Sequence, residues 1–331
     1  LIAEYVRSLD TAITPTNPAK RVAIVTWETS AFPKEYAAML QWFDAVIVPS
    51  RFCAAVIGEM LTARPAPFLH VVPHCFDEDF WPVFGGDRDS EKPYRFYSIG
   101  AWGERKNPLG VLRAYLSEFT SDDDVELMIV AGGVQLDEVR SLIARSGLAA
   151  ERMPRLYVPP MDEDLSEDEL VGLHLDADCF VSATRGEGWG LGMFEAAIVG
   201  NRVICPGWGG QVDFLEHYRW FTGIPHQLTP CFGAEIRDRV VDQGGQAMQV
   251  SKVVMPPGVD CRQLWAEPDL RALARAMRDA YDEREISQIS THEQQHERLA
   301  LEARFGYKTI GPFMANLLRG IAWDSSTHST H

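Results

Sequence analysis

The stretch Ser182-Ala183-Thr184-Arg185-Gly186-Glu187-Gly188-Trp189-Gly190-Leu191-Gly192-Met193-Phe194-Glu195 decides how this chain reads. Asp178–Ser182 is short and β-rich, and Leu191–Val199 has a helical pattern that stops at Gly200. A strand therefore feeds a glycine-rich loop that opens a helix, the unit from which parallel α/β sheets are built. Such a loop lets backbone N–H groups approach an anion, and a helix N-terminus adds a favourable field there. Glu187 stands in the loop and Glu195 about a turn into the helix, so both can face one crevice. There they would accept hydrogen bonds from a polyhydroxylated ligand. From spacing alone, a strand–helix turn with two solvated glutamates explains the stretch equally well.

The alternation extends in both directions. Arg21–Trp27, Ala45–Val48 and Phe68–Val72 read as strands, with helices over Pro33 to Phe43 and Arg51–Leu61 between them. Phe76 to Pro93 carries Phe-Asp and Trp-Pro pairs, Gly85-Gly86 and a charged tract, and reads as a connection. A second series starts at Tyr94–Ile99. Asn107-Pro108 supplies an N-cap and a proline at the first helical position. Val125–Ala131 is the continuous apolar run of a central parallel strand. Gly147 closes a helix bearing Leu136, Val139, Leu142 and Ile143, and Ser166 with Glu169 forms a capping box. Arg202–Cys205 is a further strand, and helices follow around Leu270–Tyr281 and Ile310–Leu318. The expected division is a short first α/β unit over 1–82, a linker over 83–93, a larger unit over 94–310, and a helix with a polar tail over 311–331.

Composition narrows the function. The 331 residues are 46% hydrophobic and 24% charged, as in a folded protein. Acidic residues outnumber basic ones 47 to 31, a net charge of −16, which disfavours nucleic acid or an anionic membrane as partner. The cysteines Cys53, Cys75, Cys179, Cys205, Cys231 and Cys261 form no CxxC pair, so the expectation is a reduced, cytoplasmic protein without structural zinc. No run approaches the roughly 18 apolar residues of a membrane span. The chain opens Leu1-Ile2-Ala3-Glu4-Tyr5, with neither Met nor a signal pattern, and the reading expects a first domain that is pared down or partly missing.

A second loop, Gly100-Ala101-Trp102-Gly103-Glu104-Arg105-Lys106-Asn107-Pro108, also runs from a strand end to a helix start. Cations beside a helix N-terminus oppose its dipole, and their placement makes more sense with an anion between them. Alone, two exposed basic residues explain it better. Taken together, the two loops lie at the carboxyl ends of parallel strands, where open sheets bind ligands. One offers positive charge and the other hydroxyl acceptors, as a nucleoside diphosphate sugar needs.

At this point the chain resembles the retaining GT-B glycosyltransferase family 4. The matching pieces, in order, are Trp27-Glu28-Thr29-Ser30, Val48-Pro49-Ser50-Arg51-Phe52, Val71-Val72-Pro73-His74-Cys75-Phe76-Asp77, Gly100 with Arg105-Lys106-Asn107-Pro108, and Glu187-Gly188-Trp189-Gly190-Leu191 with Glu195. Trp265-Ala266-Glu267-Pro268-Asp269 is a weaker match. The resemblance implies two Rossmann-like domains across a cleft, the first short, and transfer of a sugar from a UDP- or GDP-linked donor with retention and without metal or other cofactor. It implies that Arg105 and Lys106 hold the diphosphate, that Glu187 binds the sugar hydroxyls, and that Gly188, Trp189 and Gly190 present amides. Gly100, Trp102 and Leu191 would border the donor, Glu195 would hold the ribose, and Tyr157-Val158-Pro159-Pro160 would meet the base. The acceptor stays open among saccharides, lipid-linked sugars, proteins, small molecules and modified bases. A non-catalytic nucleotide-sugar-binding subunit is the alternative.

Two departures from the family pattern stand out. Ala101 follows the glycine where many members carry Arg, and Glu28, beside Trp27, stands where many have a His near the donor sugar, so Glu28 reads as a sugar contact, a carboxylate near the acceptor or, equally well, a plain carboxylate at a strand end. Trp208-Gly209-Gly210 with Asp213 is read as closing the pocket or as a tight turn, and His74 as a packing or surface histidine. The acidic run from Asp162 to Glu169 reads as a solvated helix start.

Overall fold

A computed structural model of the chain describes residues 20–61, 66–82, 92–159, 165–231, 235–241, 247–253, 263–284 and 291–323. Most of the expected linker (83–91), Pro160, the acidic residues 162–164, Cys261, residues 1–19 and the expected tail 324–331 lie outside these.

Val22–Ile24 (β1), Ala45–Val48 (β2) and Phe68–Val71 (β3) form a three-stranded parallel sheet in that order. Its crossovers contain Lys34–Leu40 (α1) and Arg51–Gly58 (α2). Ser50 caps α2, its side chain accepting from Cys53 N–H at 3.1 Å. β1 is shorter than the run Arg21–Trp27 predicts. Past Val25, whose N–H bonds Ile47 O at 2.9 Å, the chain leaves the ladder. The Trp27 N–H then meets the Cys53 sulfur at 3.5 Å, and the thiol lies 3.3 Å from Trp27 O. Trp27 and Glu28 are thus loop residues at the carboxyl end of this sheet.

The second sheet contains Tyr94–Ala101 (β4), Val125–Gly132 (β5), Arg155–Tyr157 (β6), Cys179–Val181 (β7), Arg202–Pro206 (β8) and Phe221–Ile224 (β9). All pair in parallel, in the order β6-β5-β4-β7-β8-β9. Pro108–Glu118 (α3) and Leu136–Ser146 (α4) cover one face; Glu167–Leu175 (α5) and Leu191–Val199 (α6) cover the other. Side chains alternate accordingly. Leu127 and Ile129 join the first core and Met128 and Val130 the second, so a strand buried on both faces reads as one apolar run. The chain winds outward from β4 in one direction and from β7 in the other. The gap between their carboxyl ends is therefore a topological switch point, where such sheets bind ligands.

Val212–Leu215 (α7) follows β8. Beyond β9, His226–Pro230 (β10) pairs antiparallel with Leu264–Pro268 (β13), and Glu235–Val241 (β11) with Ala247–Val253 (β12). The sequence reading does not anticipate this excursion, because segments such as His226–Pro230 show no regular apolar alternation. Leu270–Asp282 (α8), capped by Asp269, returns to the first core.

Thr291–Phe305 (α9) and Tyr307–Trp323 (α10) carry the chain back to the first sheet, where Ile310 packs with Ile47 and Val72. Phe76 opens the connection between the sheets and is itself buried, bonded to Phe305 O at 3.2 Å and to Tyr307 N–H at 2.8 Å. Arg298 of α9 is 3% exposed. It donates to Glu302 Oε1 (2.7 Å), Trp81 O (2.7 Å), Glu78 O (3.2 Å) and Ile198 O at the end of α6 (3.2 Å). One side chain thus ties α6 and α9 to the connection. Arg298→Met keeps an aliphatic stem but strands those acceptors, so it should cost about 2–4 kcal/mol. The urea unfolding midpoint reads this, and an unchanged midpoint would refute the role.

Candidate functional site

The site forms where the loops after β4 and β7 meet. Asn107, the N-cap of α3, sits at φ 51°, a left-handed conformation that Asn tolerates better than most residues. Its side chain accepts from Gly110 N–H at 3.1 Å and donates to Ala183 O at 3.2 Å, tying the start of α3 to the end of β7. Two residues earlier, Arg105 O accepts the Arg185 N–H at 2.7 Å. With both loops pinned, the two cations converge on Glu187. Lys106 Nζ lies 2.7 Å from Oε1 and Arg105 Nη1 3.2 Å from Oε2. The Thr184 hydroxyl donates to Oε1 at 2.8 Å, and Arg105 also reaches Gly186 O at 2.6 Å. From the first sheet, Glu28 Oε1 lies 3.1 Å from Arg105 Nη2.

This cluster gathers two cations and two carboxyl groups that differ in exposure. The Glu187 side chain is 5% exposed, tolerable because three donors satisfy its carboxylate. Arg105 and Lys106 are 31% and 28% exposed, and Lys106 lines a crevice. Ser98, Gly100, Lys106, Glu187, Gly190 and Gly192 all line it. Gly190 caps α6 with φ 95°. The crevice therefore combines fixed positive charge, a helix N-terminus and one buried carboxylate, a set that can bind an anion carrying hydroxyl groups.

Glycines in the loop serve a purpose that spacing did not reveal. A Cβ at Gly186 would collide with Glu28 O, and one at Gly188 with the Thr26 side chain. A Cβ at Gly210 would strike Gly188 O. The loop is thus pressed between the Thr26–Glu28 segment and the turn 209–210. The same seam holds Trp208 edge-on to Phe52 at 4.9 Å and the Arg51 N–H on Asp213 Oδ2 at 2.7 Å. β13 closes its other side: Ser30 N–H bonds Leu264 O at 2.8 Å, and the Thr29 hydroxyl bonds Gln263 Oε1 at 2.7 Å.

Of the residues singled out in the sequence, Arg105, Lys106, Glu187 and Glu28 come together, with Gly100 and Gly190 lining the same crevice. Gly188 lies in the seam. Trp27 turns into the first domain's core, its Nε1 donating to Thr29 Oγ1 and Ala31 O, both at 2.7 Å. Trp102 packs on the α3–α4 core and donates to Glu138 at 2.9 Å. Trp189 is 2% exposed among Phe194, Phe214 and Phe305, so its ring belongs to the core. Tyr157 is exposed on β6, Val158 packs against the first core, and Leu191 is exposed at the start of α6. Glu195 bonds His174 Nε2 at 3.3 Å rather than joining the cation cluster. Thr184, Ser98 and the anchoring role of Asn107 escaped the sequence reading, since nothing distinguishes a hydroxyl at a strand end from any other.

No protein-family model and no curated protein sequence matches the chain. Solved structures do. Sucrose-phosphate synthase from Thermosynechococcus elongatus matches with a TM-score of 0.59 at 17% identity, over 86% of this chain and 60% of that one. The pneumococcal O-GlcNAc transferase GtfA, in complex with UDP and GlcNAc, matches with a TM-score of 0.58 at 14% identity, over 91% and 52%. Anabaena HepE, in complex with UDP-glucose, matches with a TM-score of 0.55 at 14% identity, over 87% and 67%. These are GT-B glycosyltransferases, and the likeness is one of fold: this chain has the GT-B α/β architecture with parallel Rossmann-like sheets. It spans about half to two thirds of their length. Among the described residues no helix is long and apolar enough to cross a membrane.

Glu28 gives this cluster a pH signature. Although its side chain is 39% exposed, burial of the carboxyl pushes its pKa above the ordinary 4.5, outweighing the Arg105 guanidinium. The folded protein then keeps a proton on Glu28 where the unfolded chain has lost it. That stabilisation is complete below 4.5 and disappears as pH rises through the folded value. Glu28→Gln mimics the protonated side chain at every pH. The melting temperature of the variant minus that of the wild type should therefore rise with pH above 4.5. A flat or falling difference in a pH series of thermal melts would contradict the assignment.

Proposed function

We propose that this chain is a retaining, metal-independent glycosyltransferase of family 4, moving a sugar from a UDP- or GDP-linked donor to an acceptor hydroxyl. The observation that carries this reading is the convergence of Arg105 and Lys106 on Glu187 at the switch point between β4 and β7. In this reading the diphosphate meets the two cations, whose preorganised charge stabilises the leaving phosphate as its bond to the sugar breaks. Glu187 Oε1 is occupied by Lys106 and Thr184, but among the described residues Oε2 accepts only from Arg105, so it retains capacity for a sugar hydroxyl. Amides of Gly188, Trp189 and Gly190 border the sugar, Glu195 takes the ribose, and Tyr157 with Val158 meets the base.

Glu28 faces the transferred sugar or the acceptor from across the cleft. Front-face attack lets the leaving phosphate take the acceptor's proton, which accounts for a site with cations and carboxylates but no nucleophile–base pair assigned in it. UDP in the GtfA complex and UDP-glucose in the HepE complex support a UDP-linked donor. The acceptor belongs to the first domain's side, and the proposal leaves its class open among the hydroxyl compounds named above.

Thermal-shift screening against UDP, GDP and ADP sugars should reveal the donor, since a ligand that binds only the folded state raises stability. With that donor, Lys106→Ala and Glu187→Gln should each lower transfer by about 10²–10³-fold while leaving the near-ultraviolet circular dichroism intact. Full activity in both variants would remove this site from the reaction. A wild type that binds the donor but neither transfers nor hydrolyses it would identify the binding-subunit alternative instead.

A further inference from the structure

Behind the crevice, between the sheet and α5, a chain of buried polar groups ends on Glu195. Asn201 Nδ2 donates to the Tyr97 hydroxyl at 2.8 Å and to His174 O at 2.6 Å. The Tyr97 hydroxyl lies 2.6 Å from His174 Nδ1, and His174 Nε2 lies 3.3 Å from Glu195 Oε2. Asn201, Tyr97 and His174 are all 0% exposed, whereas the Glu195 side chain is 18% exposed. Glu195 follows Gly192 by one turn of α6, and Gly192 lines the crevice, so both lie on one helix face.

Each group faces the next: Asn201 donates to the phenol oxygen, the phenol hydroxyl meets Nδ1, and Nε2 is the ring nitrogen that faces Glu195. The ring lies between Phe180, stacked at 6.3 Å, and the edge-on Trp81 at 5.9 Å. A chain of buried polar groups is a costly way to pack α5 against α6, because apolar side chains would do so without desolvation. Its distinguishing result is that one carboxylate oxygen of Glu195 is held from behind.

We propose that Tyr97 and His174 are positioning residues that orient Glu195 to hold the ribose hydroxyls of the nucleotide, making the site selective for ribonucleotides over deoxyribonucleotides. This rests on the donor-site reading above.

Calorimetric titration of UDP and GDP, each against its 2′,3′-dideoxy counterpart, tests it. The wild type should prefer the ribose form by about tenfold or more, as expected for hydrogen bonds to a charged group. Tyr97→Phe and His174→Phe should bring that ratio toward one, as should Glu195→Gln, with little change in dideoxynucleotide affinity. His174→Gln, which can place an amide N–H near the Nε2 position, should recover part of the ratio. Tyr97→Phe keeps the ring and decides the matter if His174→Phe does not fold. Equal weakening of both nucleotides, with the ratio preserved, would mean a merely structural role and overturn the proposal. So would a wild type that binds both forms alike; in either case nucleotide binding itself would still uphold the donor-site reading. A wild type that binds no nucleotide would overturn that reading and this inference with it.

Discussion

Two stretches of backbone from different sheets, residues 186–188 and 26–28, run against each other with no room for a side chain on the glycine positions between them. Most of the site geometry follows from this approach. Because Gly186 admits the Glu28 carbonyl and Gly188 the Thr26 side chain, Glu28 reaches Arg105 across the seam. Gly210, pressed on Gly188 O, backs the same loop from behind and brings α7 to Arg51. A Cβ at Gly186 or Gly210 would require backbone to move, and one at Gly188 would have to displace the Thr26 side chain. The cost would appear as a wider cleft and a displaced carboxylate.

Electrostatics set the second constraint. Arg105 and Lys106 stand at the N-terminal end of α3, where the helix dipole opposes positive charge. Glu187 resolves that conflict at short range: a buried carboxylate with two cationic partners and a hydroxyl donor outweighs a partial charge spread over a helix end. Glu28 lacks this support. It meets one guanidinium and feels the nearby Glu187 charge, so burial prevails and its carboxyl is held toward the protonated form. The two carboxyl groups of the cluster thus differ in the number of donors that each receives.

Local signals in the sequence proved readable wherever the structure depends on neighbours along the chain. The left-handed Gly200 closes α6 after Val199, Gly147 closes α4 at φ 76°, and Ser166 with Glu169 forms a complete capping box. The apolar run of β5 lies at the centre of a parallel sheet, as its pattern requires. Reading fails where partners are remote. Trp27, Trp102 and Trp189 sit in ligand-bearing motifs, yet their side chains pack into three different cores, because large aromatic rings bury area wherever it is offered. β10 and β13 are held by each other and by Ser30 and Arg185, contacts that no local periodicity encodes.

The amino-acid order alone determined the alternation of strands and helices, the helix ends, and two loops carrying cations and carboxylates at strand ends. These follow from backbone conformation, capping and hydrophobic period, which act over a few residues. Tertiary structure decided which of those charges meet, that the loop's glycines serve the contact between sheets, and that Glu195 is held from behind by His174 and Tyr97. The physical reason is distance along the chain. Lys106 and Glu187 are 81 positions apart and Tyr97 and His174 are 77 apart. Only the order in which strands join the sheet brings such pairs to one crevice.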